Sequence, residues 1–166
     1  MRRCLFAALI VLSTWSVAGA AAPPPYLKLA QALGTPALAD SYGTPDKSQL
    51  LLKFVANGES LKRWTKMTTV SILKVPSQDT DGAIRDMVSR MKTLLAKRKV
   101  KVVRFDRSLA SPPTAYFEFE TRGERDHGVI YSPRSGFITV AQISAKSGGS
   151  FSSDDVRKLK SVIGGR

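Results

Sequence analysis

Between Asp79 and Arg98 the apolar residues fall on a single stripe. Ile84, Met87, Val88, Met91, Leu94 and Leu95 occupy positions i, i+3, i+4, i+7, i+10 and i+11, the spacing of one face of an α-helix. Asp79 and Asp81 stand where the helix dipole is positive, and Lys97 and Arg98 where it is negative, so the terminal charges favour these ends. The two methionines of the stripe read as core fillers. A helix with one apolar side must bury it on another layer. The segments around this helix supply one, because they read as strands.

Leu50 to Val55 is an apolar run of strand length, ended by the turn pair Asn57-Gly58. Thr65 to Val75 alternates and is rich in β-branched residues. After the helix come Val100 to Phe105, then Thr114 to Thr121, then His127 to Tyr131 and Phe137 to Ser144. In Thr114–Thr121 the period-two pattern sets Ala115, Phe117 and Phe119 inward, and Tyr116, Glu118 and Glu120 outward, with the two glutamates on a solvated or cation-paired face. Residues 122–126 and the Pro133–Gly136 region carry turn chemistry, and residues 146–150 read as a flexible loop. Ser152 or Ser153 caps a last helix, with Asp154 and Asp155 in its first turn and Val156, Leu159 and Val162 or Ile163 toward the core. The order β-β-α-β-β-β-β-α with short turns predicts a single-domain α+β sandwich. Its sheet is mainly antiparallel, covered by the one long helix plus the C-terminal helix.

The N-terminal part predicts export. Arg2 and Arg3 precede a nearly unbroken apolar run from Cys4 to Val17, and Ala18-Gly19-Ala20 offers a small-x-small cleavage site. Residues 1–20 are therefore expected to be a cleavable signal peptide, and the run is short for a retained transmembrane helix. The expected address is the periplasm or the extracellular medium. Cys4, the chain's one cysteine, leaves with the leader, so residues 21–166 carry neither disulfide nor thiol. Pro23-Pro24-Pro25, Gly34, Pro36, Gly43 and Pro45 punctuate residues 21–47. That segment is expected to be a poorly structured tail that either lies on the domain or partly floats, with Tyr26–Leu33 a candidate short helix, and residues 48–166 to form the α+β domain.

Several chemistries lack their parts. The chain has one histidine, His127, whereas a zinc site needs several close ligands. Asp126 is its neighbour in sequence and points to the opposite face of a strand, so the pair does not begin a catalytic triad. His127 itself reads as a surface or half-buried strand residue. There is no nucleophile elbow and no glycine-rich phosphate loop. No catalytic residue, metal ligand or cofactor is assigned.

What the chain has in excess is positive charge. Its formal net charge is +13, of which Arg2 and Arg3 account for two, leaving +11 after leader removal. Such a surface attracts anions within about 8 Å at physiological salt. Lys97, Arg98, Lys99, Lys101, Arg104 and Arg107 form the densest basic run and are the candidate binding residues. They pass from helix to strand, and strand parity sets Lys101 and Arg104 on opposite faces, predicting a rim rather than one patch. Nucleic-acid binding would add exposed aromatics for stacking. Phe105 reads as core, so only Tyr116 is a candidate for that role, and nucleic acid is not the expected partner. An acidic protein or an anionic envelope surface is.

A second stretch, residues 57–70, holds Glu59 among Lys62, Arg63 and Lys66, with Trp64, the one tryptophan outside the leader. Leu61 and Trp64 are three apart, so a helical turn would aim both at the core, and Glu59 would pair with Arg63. Glu59 and Trp64 thus read as a structural corner. Read from Phe54, the segment is F-x-x-x-G-E-x-x-x-x-W-T-x-M-x-T. It resembles a pattern of small exported bacterial proteins, and the order of elements is similar to the PsbP-like α+β sandwich. The resemblance implies a non-catalytic binding or assembly role with no defined ligand, and no photosynthetic one. The expectation is an exported, non-catalytic module of the bacterial envelope acting through a basic surface. The alternatives are an envelope-polymer hydrolase using Glu118, Glu120 or Glu59, or an accessory of a secretion or conjugation machine.

Overall fold

A computed structural model of the chain describes residues 24–108, 114–121, 123–146 and 151–164. The expected leader, residues 1–20, and the loop at 147–150 lie outside the described residues. Among the described residues the fold is α+β: a seven-stranded, wholly antiparallel sheet and three α-helices. The helices are α1 (Pro24–Ala32), α2 (Thr80–Lys97) and α3 (Ser153–Gly164). The first three strands are β1 (Ala37–Gly43), β2 (Gln49–Val55) and β3 (Lys66–Lys74). The other four are β4 (Lys101–Ser108), β5 (Thr114–Thr121), β6 (Glu124–Tyr131) and β7 (Phe137–Lys146). Their order across the sheet is β1-β2-β3-β7-β6-β5-β4. Two meanders are thus joined at β3 and β7, and α2 carries the chain from the middle of the sheet to its far edge.

Both faces of the sheet are covered. On one, Ile84, Val88, Met91 and Leu95 of α2 pack against Ala115, Phe117, Phe119, Ile130, Ile138 and Val140. This is the expected stripe on the expected inward face. Asp79 caps α2, its Oδ1 accepting from the Gly82 amide at 3.1 Å. On the other face Leu29, Ala30 and Leu33 of α1 and Leu159 of α3 lie in a core with Leu52, Phe54, Val70, Val129, Tyr131, Ala141 and Ile143. Ser152 caps α3 reciprocally: its Oγ accepts from the Asp155 amide, and Asp155 Oδ2 accepts from the Ser152 amide, each at 3.0 Å.

From Pro24 onward the segment expected to be a tail is built in: the candidate short helix is present as α1, and β1 is an element the sequence did not signal. Its breakers stand between elements instead of dissolving them. Gly34, at φ 76°, ends α1, with the Thr35 amide donating back to the Ala30 carbonyl at 2.8 Å. Pro36 then immediately precedes β1, and Pro45 sits in the hairpin loop between β1 and β2. Thr35 Oγ1 meets Thr68 Oγ1 at 2.6 Å, pinning the connection to β3. A second correction concerns β5. On the face expected to be outward, Tyr116 and Glu118 are buried while Glu120 stays half-exposed; the expected cation pairing is present, Glu118 with Arg125 and Glu120 with Lys101. Period-two alternation separates the faces of a strand, but it does not say that one of them is wet.

One contact on the α2 face is set by a missing side chain. Phe117 lies over Gly128, its cross-strand partner, so closely that a Cβ there would fall 1.9 Å from Phe117 Cζ. Gly128→Ala should therefore destabilise the fold by about 1–3 kcal/mol through overpacking. Urea unfolding of Gly128→Ala, Phe117→Leu and the double variant checks this: the double should lose less than the sum of the singles.

Candidate functional site

The topology gathers the chain's two basic segments at one end of the sheet. β2, β5 and β7 finish there, and β3, β4 and β6 begin there. The loop at 56–65, the junction from α2 to β4 and the turn from β5 to β6 therefore share that end. Four inter-strand spacings separate the starts of β3 and β4, roughly 19 Å.

The junction holds most of the basic run. Lys97 is the last residue of α2, Arg98 its cap and Lys99 the residue after, at φ 53°. The Lys99 amide donates to the Ala96 carbonyl and the Val100 amide to the Leu95 carbonyl, both at 3.0 Å, which ends the helix and turns it into β4. All three cations are exposed, and no ion pair among the described residues involves them. The strand residues behave differently. A β-bulge between Val102 and Arg104 shifts the register, so Lys101 pairs with Glu120 and Arg104 with Glu118. Lys101 and Arg104 thus occupy the same face, and the expectation of opposite faces is corrected. Each has a carboxylate: Lys101 Nζ is 2.9 Å from Glu120 Oε2, and Arg104 Nε is 2.5 Å from Asp106 Oδ2. Arg107 pairs with Ala115 in the backbone ladder; its side chain lies outside the described residues. Of the six candidates, the junction brings Lys97, Arg98 and Lys99 together as exposed charge, while Lys101 and Arg104 are partly spent on acids.

The loop at 56–65 supplies the other flank. It makes a tight turn in which the amides and carbonyls of Ser60 and Arg63 bond reciprocally, at 3.0 and 2.9 Å. No helical turn forms, so Leu61 is not aimed at the core: it is 38% exposed at the corner, between exposed neighbours. Trp64 is buried with Val55 and Met67, and Lys146 Nζ lies 4.4 Å from its ring centroid. Glu59 does not pair with Arg63. Its Oε1 accepts from Thr65 Oγ1 at 2.6 Å and from the Thr65 amide at 3.0 Å, and these bonds hold its pKa below the usual range. Between the flanks lies a cleft of about 200 Å³ lined by Glu120, Thr121, Gly123, Glu124, Arg125, Ala145 and Lys146. Burial raises the pKa of Glu124 there, opposed by Lys146.

Beneath the junction, on the α3 side, runs a buried polar chain that sequence reasoning missed. Tyr116 Oη and His127 Nδ1 share a hydrogen bond at 2.5 Å, and His127 Nε2 stands 3.7 Å from Glu118 Oε1. That oxygen accepts from Arg125 Nη2 at 2.6 Å and Nε at 3.1 Å. Phe151 lies edge-on to the imidazole, and Lys160 stands 4.0 Å from the Tyr116 ring centroid. Burial pushes the Tyr116 phenol up to about 12 and the His127 imidazole down. The cross-strand pairing of Glu118 with His127 is the signal, legible only once the register is known. Chemically these groups are committed to one another. His127 has Tyr116 on one nitrogen and faces an arginine-bound carboxylate with the other, and Tyr116 is too buried to stack on a base. Glu118 is bound by Arg125 and Glu120 by Lys101, while Glu59 is held by Thr65 through Oε1 alone, its buried Oε2 having no partner among the described residues. Among the described residues, no three His, Cys, Asp or Glu side chains converge to hold a metal ion. No helix there is long and apolar enough to cross a membrane.

No protein-family model matches the chain, and no curated protein is similar to it.

Asp126, on the opposite face from His127 as its parity requires, has no cation. Its Oδ1 accepts from Gln142 Nε2 at 2.6 Å and Ser144 Oγ at 2.5 Å, and burial lifts its pKa to about 7. A raised acid pKa contributes stability that is complete below the unfolded value near 4 and lost as pH rises toward 7. Comparing Asp126→Asn with the parent by urea unfolding at about pH 5 and about pH 8 isolates this group, since the opposite trend from His127 is common to both proteins. Relative to the parent, Asp126→Asn should gain stability at the higher pH, by at most about 1.4 kcal/mol per pH unit crossed. A gap independent of pH would show that Asp126 is ionised throughout.

Proposed function

We propose that the protein is an exported, non-catalytic binding or assembly module of the bacterial envelope, engaging an acidic protein or an anionic envelope surface through the basic end of its sheet. The observation that carries this reading is the exposed Lys97-Arg98-Lys99 junction at the same sheet end as Lys62 and Arg63. The charge is held on structured backbone, namely a capped helix end and a tight turn, so it presents a fixed pattern. Glu118, Glu120 and His127 are each paired internally, which favours binding over catalysis at those residues. The leader-like N-terminus supports export. An antiparallel sheet with helices on both faces supports the likeness to PsbP-like sandwiches.

Retention from envelope extracts tests the reading. The protein lacking residues 1–20 should hold envelope material at low salt and release it at about 0.5 M, where screening shortens the reach of charge to roughly 4 Å. Lys97→Gln, Arg98→Gln and Lys99→Gln combined should weaken retention about tenfold and flatten its salt dependence. No retention of protein or lipid at low salt would overturn the proposal.

A further inference from the structure

We infer that the Ser60–Arg63 turn is a membrane-contacting tip: Leu61 enters the headgroup boundary of an anionic bilayer while Lys62 and Arg63 meet lipid phosphates. The inference rests on the binding role proposed above and names its partner. Leu61 is one of only three large apolar side chains exposed among the described residues, with Leu38 at 41% and Val102 at 44%. Those two lie on the edge strands β1 and β4. Leu61 alone stands at the corner of a loop, and the residues that follow it are exposed cations. An apolar residue next to basic ones is the composition of a segment that seats at a lipid interface.

The turn is built to hold that side chain out. The reciprocal Ser60–Arg63 backbone bonds fix the corner. Trp64, buried with Val55 and Met67, ties the loop to the sheet, and the Glu59 bonds to Thr65 close its base. Glu59 is the one acid of the loop, and these bonds turn its carboxylate toward Thr65. Trp64 is thus a positioning residue, not an interfacial anchor.

The spacing of the charges calls for an extended anionic surface, and the exposed Leu61 beside Lys62 and Arg63 favours a bilayer among such surfaces. The Leu61 tip and the Lys97-Arg98-Lys99 junction lie about four strand spacings apart, roughly 19 Å. No small anion spans that distance, whereas a bilayer surface meets both flanks at once. One inserted leucine holds a protein to a membrane only marginally, so tip and basic junction must act together.

The test uses the chain lacking residues 1–20, in which no cysteine remains. Leu61→Cys carries an environment-sensitive fluorophore, and Ser89→Cys, on the exposed side of α2, carries the same probe as control. Vesicles of phosphatidylglycerol with phosphatidylethanolamine should blue-shift and brighten the probe at 61 and leave that at 89 unchanged. Phosphatidylcholine vesicles should do neither. In sedimentation with the anionic vesicles, unlabelled Leu61→Ser should bind about five- to tenfold more weakly, and Lys62→Gln/Arg63→Gln at least as much. Vesicle binding with no response at 61 and no loss in Leu61→Ser would overturn the insertion and leave the basic-surface reading standing. Failure to bind any vesicle, with salt-sensitive capture of an acidic protein, would do the same. Failure of both would remove both proposals.

Discussion

The pairing of β3 with β7 is the contact on which the rest of the structure depends. It runs the full length of β3, from Lys66 opposite Ala145 to Lys74 opposite Phe137. On its two sides lie meanders that need only short turns to form. Without it they would be two half-sheets, each with an apolar face open to water. The join closes a loop of some seventy residues, and α2 lies inside that loop. Such a contact costs chain entropy before it returns any burial. Once made, it gives α2 a continuous surface, because Ile138 and Val140 of β7 and Ala115, Phe117 and Phe119 of β5 then lie on one face. It also sets the basic end, by bringing the 56–65 loop to Lys146 and hence Trp64 under that ammonium.

Covering both faces of an antiparallel sheet has a chemical consequence. Strand residues that would be solvated on a one-sided sheet must find partners inside. Glu118, Asp126, His127 and Gln142 are all buried, and each solves the problem differently. Glu118 takes a guanidinium, His127 a phenol, and Asp126 two neutral donors at the cost of a raised pKa. Gln142 gives its amide protons to Asp126 and Ser144 while its Oε1 is left without a partner. A chain without disulfides uses these bonds to fix register across β5, β6 and β7, where a one-residue slip would strand every one of them.

The elements that were legible in the sequence are those whose signal is local. The α2 stripe, the Phe117-Phe119 alternation and the Ser152 cap each lie within one element. The misreadings needed information from another part of the chain. Residues 24–43 looked like a tail because glycine and proline mark ends as well as disorder, and only the α3 face shows what α1 covers. Lys101 and Arg104 looked opposed because parity counts residues, and a bulge adds one. Leu61 looked buried because a three-residue interval implies a helical turn, whereas the Ser60–Arg63 bonds make a tight corner. Glu118 reads as solvated or cation-paired; Arg125 beside it bears out the pairing, while its burial depends on elements outside its own strand.

The basic junction shows how local structure and charge are bound together. Lys99 occupies the left-handed position after α2, where glycine is the residue of least strain. A lysine there costs about 1 kcal/mol in backbone conformation. Part of that is offset, because cations in the last turn of a helix meet the negative end of its dipole. Val100 then packs beside Leu95 in the α2 core, closing the helix end against the sheet. The three cations are thus held outward by the same bonds that terminate the helix. Their position depends on the stripe burying itself, and not on their own interactions. A surface placed this way keeps its geometry when salt screens its charge, so its binding should respond to ionic strength while its fold does not.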